Sequence, residues 1–156
     1  VRDDWIPLGR SIGRTHKFVR AWGDQQLEPL DATVTDWILL HHVDAAEAPG
    51  LSQTQAARFS DMGGPAMVRH IDRLEEAGIL VRTRDQQDRR ITRITLTARG
   101  KERLVEIAAV MADCDRQLRE QISEEEARVL QDACERLFRF TWTQTQQPAV
   151  LEEDQP

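Results

Sequence analysis

The residues best suited to chemistry in this chain are arginines. Arg69 and Arg73, with His70 between them, lie in the stretch Gly64 to Gly78, where Met67, Ile71 and Leu74 recur at spacings of four and three. That spacing predicts a helix with one apolar stripe, and Ala66, Arg69, His70 and Arg73 on the other side. Such a helix, with small residues at its start, can enter a major groove, where arginine reaches guanine edges or phosphates. The other reading is a solvated face, with Arg69 and Arg73 paired to Asp72 or Glu76. Further along, Asp85-Gln86-Gln87-Asp88-Arg89-Arg90 is too polar to bury and long enough to project. Arginine at such a tip suits a narrow minor groove, where negative potential concentrates, and Asp88 can brace Arg90 across the turn. Alone, the same residues would make an ordinary salt-bridged hairpin.

The elements that must carry these groups are legible on either side. Pro65 at a helix start gives up an N–H that would lack a partner anyway. Gly78, after Glu75-Glu76-Ala77, can take the left-handed conformation that stops a helix. Ile79 to Arg84 and Ile91 to Leu96 are rich in β-branched residues, and Ile94 and Leu96 alternate with Arg93 and Thr95 as in a half-buried strand. Upstream, Ser52-x-x-Gln55 fits a capping box opening a short helix from Gln53 to Phe59. Asp61-Met62-Gly63-Gly64 predicts the tight turn between the two helices. Helix, turn, helix, strand, polar tip and strand make a winged helix-turn-helix. Phosphate anchoring is then expected from the capped start of the Ser52 helix and from Gln53, Gln55 and Arg84.

Flanking segments read as helices. The first runs from Trp5 to Gln26, with Leu8, Ile12, Phe18, Val19 and Trp22 as its apolar set. A second starts after the N-cap Thr33 and reaches Val43, bringing Val34, Trp37, Ile38 and His41 to one face. Ala45 to Gly50 is a loop. Thr97 caps a long helix to about Gln121, whose Leu104, Ile107, Met111, Cys114 and Leu118 form the seam of a packed helix pair. Ser123-x-x-Glu126 opens a last helix to about Thr141, with Leu130, Ala133, Leu137 and Phe138 or Phe140 apolar. Gln144 to Pro156 lacks periodicity and reads as a loose tail. Such a terminal hairpin would be exposed on a lone chain, and isologous pairing would hide it.

Charge is divided to match. The net −6 splits into −3 over residues 1–49, +3 over residues 50–100 and −6 over residues 101–156. The positive balance sits on the winged segment, and acidic flanks limit indiscriminate attachment to nucleic acid.

The run from Ser52 to Leu104 resembles the MarR family of bacterial transcription regulators, and within it the SlyA-like branch. The matching pieces are Pro65-Ala66-Met67-Val68-Arg69, Leu74-Glu75-Glu76-Ala77-Gly78-Ile79-Leu80, and Asp88-Arg89-Arg90 followed by Ile94-Thr95-Leu96-Thr97. With the flanking helices the likeness covers roughly Leu8 to Phe140. It implies a mainly α, winged-helix (α+β) fold: six helices, a two-stranded wing, and a triangular homodimer built through the terminal helices. Residues 1–32 and 98–143 would form the dimerisation region, 33–97 the DNA-binding domain and 144–156 the tail. The implied function is a regulator, usually a repressor, that binds palindromic promoter DNA. Gly64, Pro65, Ala66, Arg69, His70 and Arg73 would serve the major groove, and Asp88, Arg89 and Arg90 the minor groove. The likeness also implies a cleft for a small phenolic or aromatic acid, lined by His16, Arg20, Trp37, His41 and Met67. Gly63-Gly64 departs from relatives that place polar side chains there, which leaves a DNA-coating protein with little sequence preference as the alternative.

Other chemistry finds little footing. Cys114 and Cys134 are separated, without CxxC spacing, and cytoplasmic thiols are normally reduced. His41 and His42 are adjacent, so they diverge on a helix and make no facing pair of metal ligands. Glu124-Glu125-Glu126 suits a helix N-terminus, where the dipole favours acids. No nucleophile elbow or phosphate loop is visible, so neither catalysis nor a cofactor is expected. No apolar run approaches the ~20 residues of a membrane span, and no secretory leader is visible, so a cytoplasmic location is expected.

Overall fold

A computed structural model describes residues 6–46, 48–58 and 64–146 of the chain. Among them, helices α1 (Leu8–Leu27), α2 (Val34–Ala45), α3 (Gln53–Arg58), α4 (Gly64–Glu76), α5 (Ala98–Arg119) and α6 (Glu124–Gln146) alternate with strands β1 (Leu51–Ser52), β2 (Leu80–Arg84) and β3 (Thr92–Leu96). A 3-10 turn, Glu28–Leu30, joins α1 to α2. This is the winged-helix architecture the sequence predicts. The chain forms two compact units, one up to Cys114 and the other from Asp115 onward.

The helix boundaries follow their caps. Thr33 Oγ1 accepts from the Asp36 N–H, and the Asp36 carboxylate accepts from the Thr33 N–H in return, a full capping box at the start of α2. Ser52 and Gln55 make the same reciprocal pair at α3, and Ser123 and Glu126 at α6. Thr97 Oγ1 accepts from Gly100 N–H at α5 and donates to the Gly78 carbonyl, tying the two helix ends together. Gly78, at φ 69°, ends α4 as expected, with Ile79 N–H bonded back to Leu74 O and Gly78 N–H to Glu75 O. Helix α1 begins at Leu8, while Trp5, Phe59, the turn Asp61–Gly63 and residues 147–156 lie outside the described residues. Helix α6 runs five residues past the expected Thr141, to Gln146.

The sheet has three strands where two were expected, in the order β1-β3-β2. Leu51 pairs with Ile94 and Ser52 with Arg93. The reason lies at Gly50, whose φ of 97° and missing Cβ let the backbone approach the Ile94 carbonyl, where a Cβ would sit at 2.7 Å. Between β2 and β3 the register sets Leu80 opposite Leu96 and Arg82 opposite Ile94. Leu80 and Ile94 therefore share one face, and both are buried.

The core gathers Leu27, Leu39, Leu40, Met67, Ile71, Leu74, Leu80, Ile94 and Ile107, side chains that each contribute roughly 1.5–3 kcal/mol when fully buried. It includes the first half of the expected pairing seam on α5. Leu104 and Ile107 are buried in this core and Met111 packs against it, so that part is satisfied within the chain, whereas Leu118 is exposed. In the second unit Ala127 is buried, but Leu130, Phe138 and Phe140 of α6 are exposed.

Candidate nucleic-acid interface

Helix α4 is held on three sides. Met67, Ile71 and Leu74 enter the core. On one flank Asp72 and Glu75 pair with Arg82 of β2, which the register turns toward α4. On the other flank His70 and Arg73 meet Asp36 of α2. The outward line left over is Pro65, Val68, Arg69 and Glu76, all exposed, with Ala66 half-buried and open space beyond Gly64.

This corrects the sequence reading of His70 and Arg73, which put both on the outward face with Arg69. The Asp36 carboxylate is almost fully buried, and a buried charge needs partners. Its Oδ2 accepts from the Thr33 N–H and hydroxyl, both at 2.7 Å. Its Oδ1 receives the Arg73 guanidinium and lies 3.3 Å from His70 Nε2, within ion-pair reach but off the line of a good hydrogen bond. Burial alone would raise the Asp36 pKa; the contacts from His70 and Thr33 and the Arg73 charge outweigh it and hold the group at about 2. The His70 side chain is 10% exposed and that of Arg73 47%. Of the two, only Arg73 keeps much of its surface in solvent.

The wing is built around a second buried carboxylate. Asp85 accepts from the N–H groups of Gln87 and Asp88 and from Arg93 Nε, at 2.7, 3.0 and 2.7 Å. The Asp88 backbone contact and the Arg93 guanidinium pull its pKa down to about 2. Arg93 Nη1 also donates to the Gly50 carbonyl, fastening β1 to the wing. Asp88 does brace Arg90, but through the Arg90 backbone N–H at 2.9 Å rather than through the guanidinium. Arg84, Arg89 and Arg90 are exposed. The arginines of α4 and the two longer strands with their turn thus divide into two sets. Arg73 and Arg93 are bound to the buried carboxylates Asp36 and Asp85, and Arg82 to the more exposed Asp72 and Glu75; Arg69, Arg84, Arg89 and Arg90 have no ion-pair partner among the described residues and face outward. On α3, the Gln55 side chain is occupied by the cap and Gln53 lies beside Arg82.

A separate cleft of about 360 Å³ lies among α1, α2 and α5 in the first unit, lined by His16, Val19, Arg20, Val34, Trp37, Ile38 and Met111. His16, Arg20 and Trp37 come together there as expected. His41 is set back, stacked on Trp37 with ring centroids 5.9 Å apart. Met67 does not reach this wall: as the first residue of the core stripe it is 1% exposed, and Met111 takes the position the resemblance gave it. Arg20 donates to Thr35 Oγ1, one residue before Asp36.

A profile of the MarR family matches residues 30–91. The fold is similar to that of S. aureus MepR in complex with DNA, at TM-score 0.76 and 23% identity over 86% of this chain and 98% of that one. It is equally similar to the transcriptional repressor CouR bound to a 23-mer DNA duplex, at TM-score 0.77 and 26% identity over 84% and 92%. The likeness to the MarR family thus lies in the segment from the start of α2 through the wing turn. A Mycobacterium tuberculosis MarR family protein in complex with salicylic acid is similar to this chain at TM-score 0.70 and 28% identity, over 86% and 98%.

Reasoning from sequence missed Asp36, Arg82, Asp85 and Arg93 in this module. Thr33-x-x-Asp36 carried a partial signal, since an acid three residues after an N-cap suits a capping box. Nothing local marks the other three, whose partners come from other elements or across the wing turn. Both cysteines are free, Cys134 exposed and Cys114 buried, and burial with the nearby Asp113 charge pushes the Cys114 thiol up. Among the described residues no helix is long and apolar enough to cross a membrane.

Proposed function

We propose that this chain is a MarR-family transcription repressor that binds palindromic promoter DNA as a homodimer in the cytoplasm, and that a small aromatic acid releases it. The observation that carries the reading is the division of the arginines. Those held by carboxylates build the module, and those left outward lie on α4 and the wing, the two parts a winged helix presents to DNA. Arg69 enters the major groove, Arg89 and Arg90 the adjacent minor groove, and Arg84 a phosphate. Exposed apolar residues on α1 (Leu8, Ile12, Phe18) and on α6 (Leu130, Phe138, Phe140) favour a dimer that covers them. Two modules related by a two-fold axis then meet half-sites about 34 Å apart.

The cleft at Trp37 offers an aromatic wall and the Arg20 cation to an anionic ring. An effector acts only through differential affinity for the DNA-competent state. Competition for Arg20, which now holds Thr35, is a route to that difference.

The test is an anisotropy titration of the chain on its own upstream region, against a scrambled duplex at the same salt. Selective binding that salicylate weakens is expected, with sedimentation reporting a dimer. Equal affinity for both duplexes would replace this reading with that of a DNA coat lacking sequence preference.

A further inference from the structure

We infer that Val68 reads the 5-methyl group of a thymine in the major groove, making it a specificity-determining residue beside Arg69. The inference rests on the DNA-binding reading above and adds to it the base that α4 selects. Val68 is 41% exposed, one of the large apolar side chains that the described residues leave partly open to solvent. Its orientation is fixed rather than free to roll. Both flanks of α4 are tied by ion pairs, to Asp36 and to Arg82, and Arg82 Nη2 also reaches the Val68 carbonyl at 3.4 Å. With His70 drawn in and Arg73 held by Asp36 further along the helix, the outward line of α4 offers base edges two chemistries near its start. Arg69 supplies donors only, which match the O6 and N7 acceptors of guanine; Val68 supplies methyl groups, which match the thymine methyl. Valine is a poorer helix former than alanine, so helix propensity does not account for Val68 at this partly exposed position. Neighbouring positions on one helix face read neighbouring base pairs, so each half-site contains a guanine with a thymine within a step or two of it.

The test uses the full chain and a duplex selected from a randomised pool, with each thymine replaced in turn by deoxyuridine, which lacks only the methyl group. One thymine per half-site is expected to be sensitive, its replacement weakening binding roughly threefold to tenfold, the scale of a buried methyl group. Val68→Ala should weaken binding to the thymine duplex by a similar factor and be indifferent to uracil at that position. Val68→Thr, which keeps one methyl group, should retain part of the sensitivity, and both variants should keep the wild-type thermal midpoint. If no thymine is sensitive, or if Val68→Ala discriminates thymine from uracil as the wild type does, the inference is overturned while DNA binding stands. If no duplex is selected at all, the reading it rests on fails with it.

Discussion

Asp36 and Arg73, thirty-seven residues apart in the chain, are joined by an ion pair that fastens the start of α2 to α4. The same carboxylate completes the Thr33 capping box, so one buried group both starts α2 and sets the pose of α4. Position and stability of α4 therefore meet at one almost fully buried residue.

Asp36→Ala should destabilise the fold by about 2–4 kcal/mol, because it removes a cap and leaves a guanidinium facing a half-buried site. Urea unfolding followed by circular dichroism measures this. A pH series gives the sign independently. The folded pKa of about 2 lies below the ordinary value of 3.8, so the stabilisation is present above about pH 4 and lost as pH falls toward 2. Asp36→Asn should lack that part of the acid limb, and an unchanged limb would remove Asp36 from the stability account.

Arg90 and Arg73 should respond in opposite ways. Arg90→Ala is expected to lower DNA affinity and reduce the slope of log K against log salt by about one, with no change in unfolding midpoint. Arg73→Ala should lower the midpoint and, on folded protein, leave the slope unaltered. A slope change for Arg73 would show that its exposed half contacts phosphate.

At Arg69, replacement by Ala should cost about 1–3 kcal/mol on the selected duplex and little on random DNA if it reads a base. Equal loss on both would make Arg69 a phosphate anchor.

Asp85→Ala should loosen the wing without unfolding the core. Faster hydrogen exchange is expected at the Gln87 and Asp88 amides, which the carboxylate now holds, with a loss of affinity of roughly threefold to tenfold from ordering the tip on binding. Wild-type exchange at both amides would contradict the brace.

Gly100→Ala tests the join between the wing and α5. A Cβ there would lie 2.1 Å from the Ile79 carbonyl oxygen, a backbone atom that cannot turn aside. A loss of about 1–3 kcal/mol or more is expected from such overpacking, read as a lower thermal midpoint.

What the sequence determined by itself was whatever depends on neighbours along the chain. Caps at Thr33, Ser52, Thr97 and Ser123, the stop at Gly78, the stripe Met67-Ile71-Leu74 and the alternation around Ile94 all follow from hydrogen bonds and periodicities within a few residues. Only the tertiary structure decided which charges are spent inside and which face out. Helical spacing put His70 and Arg73 beside Arg69, and it took the arrival of Asp36 from another helix to draw His70 in and hold Arg73 in an ion pair. The third strand likewise depends on Gly50 meeting Ile94, and Met67 left the effector wall because the core claimed it. A side chain's address along a helix is local, but its partner is chosen by packing, and a buried carboxylate must draw its counter-charges from whatever the fold brings within reach.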